Sequence, residues 1–240
     1  MRPHERVWEV DCLRGLAVCL MLVSNFLFDL YHFYSFGNPE SGFLAYFSRA
    51  VAGLFLFIVG ISLTLSIRKK DSTTLKKVLL RSAKLLCVAL AISVATYFAV
   101  GDSFIIFGIL HLISVSIVFG YFFLGHPLLS LVGGISVVLL GQVTKGIRLD
   151  FGWLLWLGFQ PQGFVSVDYT PLIPWFGLVL FGIFAGSILY KDKVSLFRSV
   201  SAQQNTLQKS FSFLGRRSLI IYLIHQPVLW SGFYIFNKFI

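Results

Sequence analysis

Seven apolar stretches divide the chain, at about 12–34, 43–67, 78–99, 104–124, 128–143, 172–190 and 217–237. Several exceed the roughly 18 apolar residues that a membrane span needs. The pattern predicts an all-α, polytopic membrane helix bundle of about seven transmembrane helices, one domain over residues 1–240. The breaks between stretches are turn-forming or basic. GNPESG lies at 37–42, RKKDSTTLKK at 68–77, VGDS at 100–103, and Gly125, His126 and Pro127 form a tight turn. Residues 144–170 are irregular and include FGWLLWLGF, too short to span and read as re-entrant or interfacial. The following DYTPLIPW carries two prolines that suit an extended lead-in to the sixth span. Residues 191–216 read as a polar, basic loop. Its faint amphipathicity (Val194, Phe197, Phe211) would lay it on the membrane surface.

The first stretch is the unusual one. DCLRGLAVCLMLVSNFLFDLYH, residues 11–32, is apolar enough to cross a bilayer yet carries Asp11, Arg14, Asn25, Asp29 and His32. At roughly 100° per residue these five fall within about 60° of one another. Cys12 and Cys19 fall on the opposite side. From Asp11 to His32 is about 32 Å at roughly 1.5 Å per residue, close to the thickness of the hydrocarbon layer. One helix thus carries a polar stripe from face to face. Ionisable groups there are costly and usually face a bundle interior or a water-filled cavity. A helix that starts late would leave Asp11 and Arg14 in water, but would not explain Asn25 and Asp29.

Composition agrees with a membrane protein. The 240 residues are 57% hydrophobic and 12% charged, with a mean hydropathy of +0.82. The net charge of +10 does not point to nucleic acid, because the basic residues cluster in short loops, as the positive-inside rule requires. With seven spans, Arg2, Arg6, Arg68, Lys69, Lys70, Lys76, Lys77, Lys191, Lys193, Arg198, Lys209, Arg216 and Arg217 share one side. Lys145, Arg148 and Lys238 hold the other. The N-terminus is therefore expected in the cytoplasm of a multi-pass cell-membrane protein, with the C-terminus outside. The first span has no small-residue cleavage site after it and is expected to stay as a signal anchor. The three cysteines (Cys12, Cys19, Cys87) lie in apolar helices without ligand spacing, so neither a disulfide framework nor a metal site is expected. No internal repeat of the transporter kind is visible.

Orientation sorts the polar residues by depth. Asn25, Asp29, His32, Arg49, His111 (about 10 Å below the outer boundary) and Asp168 with Tyr169 form an expected outer cluster. Asp11, Arg14, Arg81, Lys84 and, about 10 Å into the last span, His225 with Gln226 form an inner one. Each has a plainer reading. Arg49 can snorkel to headgroups. His111 and His225 can be satisfied interhelical residues. Trp8, Trp153, Trp156, Trp175 and Trp230 fit an interfacial belt, with Trp175 alternatively lining a pocket. Gly60, Gly108, Gly177 and Gly182 fit close helix packing. Together, two histidines and two carboxylates at one depth favour chemistry. A His beside an Asp suits general base catalysis. Inner Arg and Lys side chains suit a phosphate-bearing donor.

The stretches VDCLRGLAVCLMLVSN (10–25), LFLFIVGISLTLS (54–66), FGILHLISV (107–115), DYTPLIPWFGLVLFGIFAGSIL (168–189) and LGRRSLIIYLIHQPVL (214–229) resemble the heparan-α-glucosaminide N-acetyltransferase family, including its shorter prokaryotic relatives. That resemblance implies a transmembrane acyltransferase using acyl-CoA (acetyl-CoA) reached from the cytoplasm. It also implies an acceptor on the far side. The family's lysosomal member has a proposed active-site histidine shortly after the first-span Asn. Asn25 matches that Asn, and His32, at a shorter spacing, is the nearest match to the histidine. His225 matches a His in the last-span motif, and His111 stands where the lysosomal member has Gln. The large luminal domain of that member is absent, so heparan itself is not carried over.

The expected roles follow. His32, Asp29 and Asn25 are catalytic. Asp11, Arg14, Arg81, Lys84 and His225 bind the donor. Arg49, His111, Asp168, Tyr169 and Trp175 bind a glycan or lipid-linked acceptor. The lipid bilayer is the one macroscopic partner, and monomer and homodimer stay open. Two rivals remain: a proton-linked transporter using the Asp/His stripe, and a non-catalytic assembly partner.

Overall fold

The computed structural model describes residues 7–34, 42–67, 72–190 and 205–239. The described residues form eight α-helices: α1 (Trp8–Tyr34), α2 (Gly42–Ser66), α3 (Ser72–Val100), α4 (Ile109–Phe123), α5 (Pro127–Thr144), α6 (Leu172–Leu189), α7 (Thr206–Arg216) and α8 (Ser218–Phe239). Six of the described helices are long and apolar enough to cross a membrane, one fewer than the about seven expected: α1, α2, α3, α5, α6 and α8. The protein is an all-α polytopic membrane bundle.

Two expected elements differ. The fourth span was expected from residue 104, but α4 starts at Ile109 and has 15 residues, about 22 Å at roughly 1.5 Å per residue. Residues 104–108 instead stay non-helical. The backbone of this segment and of the residue before it is occupied elsewhere: Val167 N–H donates to Ser103 O at 2.9 Å and Thr170 N–H to Phe107 O at 3.0 Å. The basic loop 191–216 contains a helix, α7. Asn205 caps it by accepting from Leu207 N–H at 2.7 Å, and the Gln208 side chain accepts from Asn205 N–H at 3.0 Å. This reciprocal cap, Asn–x–x–Gln, was readable in the sequence. Residues 191–204, with Val194 and Phe197, lie outside the described residues. FGWLLWLGF forms successive turns rather than a helix.

The helices fall into two compact units. The first holds α1, α2 as far as Phe55, α7 and α8. The second holds α2 from Leu56 through α6. In the first, α7 lies against the start of α1 with backbone touching backbone. A Cβ on Gly15 would sit 1.9 Å from Phe211 O, and one on Gly215 would sit 1.9 Å from Asp11 O. Only glycine permits that approach. In the second unit, Gly60 of α2 and Gly182 of α6 do the same, since their Cβ atoms would meet Val179 O at 2.1 Å and Phe57 O at 2.0 Å. Gly177 faces α5 in the same way, against Val138 and Gly134 O. Gly108 faces the Asp168 carboxylate instead of a helix. The core of this unit is Leu56, Leu63, Leu112, Ile117, Phe176, Val179, Leu180 and Ile183 with their neighbours.

Candidate active site

Within the first unit, the polar stripe of α1 is real but unevenly used. The helix begins at Trp8, and Asp11 is 8% exposed, so its first turns are not dangling in water. Asp11 accepts from Arg14 Nη1 at 3.0 Å, an i,i+3 ion pair within the helix. Asn25 donates through Nδ2 to Met21 O at 3.0 Å. That engages one of its two amide hydrogens and leaves the second available. Asp29 is 2% exposed. Its Oδ1 accepts from Nε2 of Gln226 on α8 at 3.3 Å. His32 lies on α1, and its side chain is outside the described residues. Arg49 lies on an exposed face of α2.

The Asp29–Gln226 bond corrects the depth assigned to the last span. His225 and Gln226 were expected at the inner end beside Arg14. Gln226 instead meets Asp29, which was expected in the outer cluster. The rings agree with that register: Phe33 stacks on Phe233 at 5.2 Å and meets Trp230 edge-on at 5.5 Å, and Phe26 lies 5.5 Å from Phe233. A hydrogen bond between side chains 197 residues apart leaves no local pattern in the sequence. His225 Nδ1 lies 2.6 Å from Tyr222 O. A carbonyl only accepts, so Nδ1 carries the proton, and in the neutral ring Nε2 keeps its lone pair. Pro227 follows inside the helix and brings no N–H of its own.

In the second unit, the expected acceptor residues have structural partners. His111 is 4% exposed. Its Nδ1 accepts from Gly108 N–H at 3.3 Å, and its Nε2 lies 3.4 Å from Ser93 Oγ. Asp168 Oδ2 accepts from Ile109 N–H at 3.1 Å, and Oδ1 from Thr170 Oγ1 at 3.2 Å. Both side chains thus satisfy N–H groups at the start of α4, which the chain itself leaves orphaned. Tyr169 donates its hydroxyl to Leu155 O at 2.7 Å. Burial pushes that hydroxyl up to about 12, against smaller opposing effects of Gln160 and Arg148. Trp175 packs on the apolar core of the unit. Arg81 and Lys84 lie on an exposed face of α3. Of the expected outer cluster, then, the structure joins His111 and Asp168 around one helix start. It also joins Asp29 to Gln226, a residue that was given no role.

The whole pattern has a known counterpart. The family described as heparan-alpha-glucosaminide N-acetyltransferase, catalytic, matches residues 6–227. The chain belongs to that family. No curated protein and no solved structure matches it. Membership in the heparan-alpha-glucosaminide N-acetyltransferase family makes the chain a membrane transferase of the acetyltransferase type and gives no support to a transporter. Among the described residues no group of His, Cys, Asp and Glu side chains could hold a metal ion.

Proposed function

We propose that the chain transfers an acetyl group from acetyl-CoA, reached from the cytoplasm, to an amine or hydroxyl of a glycan or lipid-linked acceptor at the outer face. The observation that carries this is the buried carboxylate of Asp29, bonded to Gln226 in a chain of acetyltransferase family. A carboxylate held between apolar helices is retained only at a cost. In this reading His32, oriented by Asp29, takes the proton of the acceptor as its nitrogen or oxygen attacks the thioester carbonyl. The second amide hydrogen of Asn25 donates to the developing oxyanion. The carbon–sulfur bond then breaks, and the imidazolium returns the proton to the departing thiolate. Direct transfer and an acyl-histidine intermediate differ only in whether His32 attacks first. Arg14, with Asp11 beside it, offers a cation to the donor's phosphates.

The test uses the full chain in lipid nanodiscs with radiolabelled acetyl-CoA and glucosamine, the amino sugar in the family's name. Label is expected on the sugar, and His32→Ala and Asp29→Asn are expected to lose it. A protein that neither binds acetyl-CoA, nor hydrolyses it, nor passes label to the sugar would falsify the proposal.

A further inference from the structure

Gln226 carries an unmet hydrogen-bond acceptor. Its Oε1 is buried and has no partner among the described residues. The amide cannot simply be turned round, because the Asp29 oxygen 3.3 Å away accepts and so demands the NH2 end. With that end pinned, the carbonyl end is fixed. The preceding residue on α8, His225, has its Nδ1 engaged with Tyr222 O. The next residue, Pro227, has no N–H. One to two turns further along α8, the rings of Trp230 and Phe233 lie against Phe33, a cover that disfavours bulk water. A buried acceptor without a donor is a costly arrangement that a bound donor relieves. Phosphate and carboxylate bring only acceptors and do not fit. An amine or hydroxyl does.

We propose that Gln226 is a specificity-determining residue of the acyl-acceptor site, its Oε1 accepting from the N–H or O–H that is to be acylated. Naming the ligand as the acyl acceptor rests on the acetyltransferase reading above; the requirement for a donor group does not.

The test compares the wild type with Gln226→Met, a near-isosteric change without the amide, in nanodiscs. Glucosamine binding is read by saturation-transfer NMR in the absence of donor, and the KM values for glucosamine and acetyl-CoA are read separately. The substitution is expected to weaken glucosamine about tenfold, the scale of one lost hydrogen bond, and to leave the KM for acetyl-CoA unchanged. Should the Met variant not recover as a monodisperse protein, Gln226→Asn, which retracts the amide by one methylene, takes its place. Unchanged glucosamine binding in a folded variant overturns the inference and leaves an ordered water as the partner of Oε1. A wild type that does not bind glucosamine overturns it as well. Gln226-dependent binding without any turnover of acetyl-CoA would sustain this inference while removing the acetyltransferase proposal.

Discussion

Two carboxyl-bearing sites in this molecule, one fully and one partly buried, use similar residue types in opposite ways. At the start of α4, His111 and Asp168 take hydrogen bonds from Gly108 N–H, Ile109 N–H and Thr170 Oγ1. Each side chain is aimed at a backbone or hydroxyl donor of its own unit. Between α1 and α8, Asp29 takes an amide hydrogen from Gln226, while the other end of that amide meets no donor among the described residues. The first site is closed: its polar groups answer needs the fold created by ending one helix and starting another. The second leaves the Gln226 Oε1 acceptor without a donor among the described residues. A histidine and an aspartate at similar expected depth are therefore poor markers of chemistry until their partners are known.

The contrast breaks most sharply under substitution of the carboxylates. Asp29→Ala is expected to lower acetyl transfer about 10²- to 10⁴-fold, the range for a general-base assembly, with the helical circular dichroism spectrum retained. Radiolabel transfer to glucosamine measures it, and wild-type rates in this variant would erase the distinction. Next in size is the glycine seam of the second unit. Gly182→Leu places side-chain atoms where Phe57 O would already lie 2.0 Å from a Cβ. It is expected to cost about 1–3 kcal/mol or more through overpacking, seen as a lower melting temperature in detergent. Asp168→Ala, which removes the acceptor for Ile109 N–H, is expected to cost about 0.5–2 kcal/mol, the range for a lost helix cap. A rise in acceptor KM in a variant that stays folded would return Asp168 to the acceptor site.

The smallest effect is one of pH. Tyr169 ionises near 10 when unfolded and at about 12 in the folded chain. The folded value is the higher one, so its contribution is complete below pH 10 and is lost as pH climbs through 12. Ultraviolet difference titration of wild type against Tyr169→Phe reads this directly. A tyrosine step near 10 assigned to Tyr169 would contradict the burial described here.

Much of the bundle was legible from hydropathy, because a backbone in lipid must satisfy itself and long apolar helices do so. Gly60 and Gly182 were legible as packing residues for a related reason: small residues let helix backbones touch. The shortened α4 was not. Nothing local says that residues 103–107 will pair their carbonyls with 167–170, and that pairing is what delays the helix to Ile109. The roles of His111 and Asp168 went with it. The stripe on α1 was legible as a pattern, since periodicity places residues on a face. Its partner was not, since periodicity says nothing about which residue of another helix arrives opposite. Asn205 and Gln208 mark the opposite case, a cap whose signal is wholly local in the sequence.

The glycine contact between α1 and α7 also bears on the order of events during synthesis. The second unit is one uninterrupted segment, whereas the first must wait for residues past 205 to leave the ribosome. Until then Gly15 faces no Phe211 and Asp29 faces no Gln226. Helix α1 is thus completed only by helices made after the whole of the second unit, and its fit to them is a late event of folding.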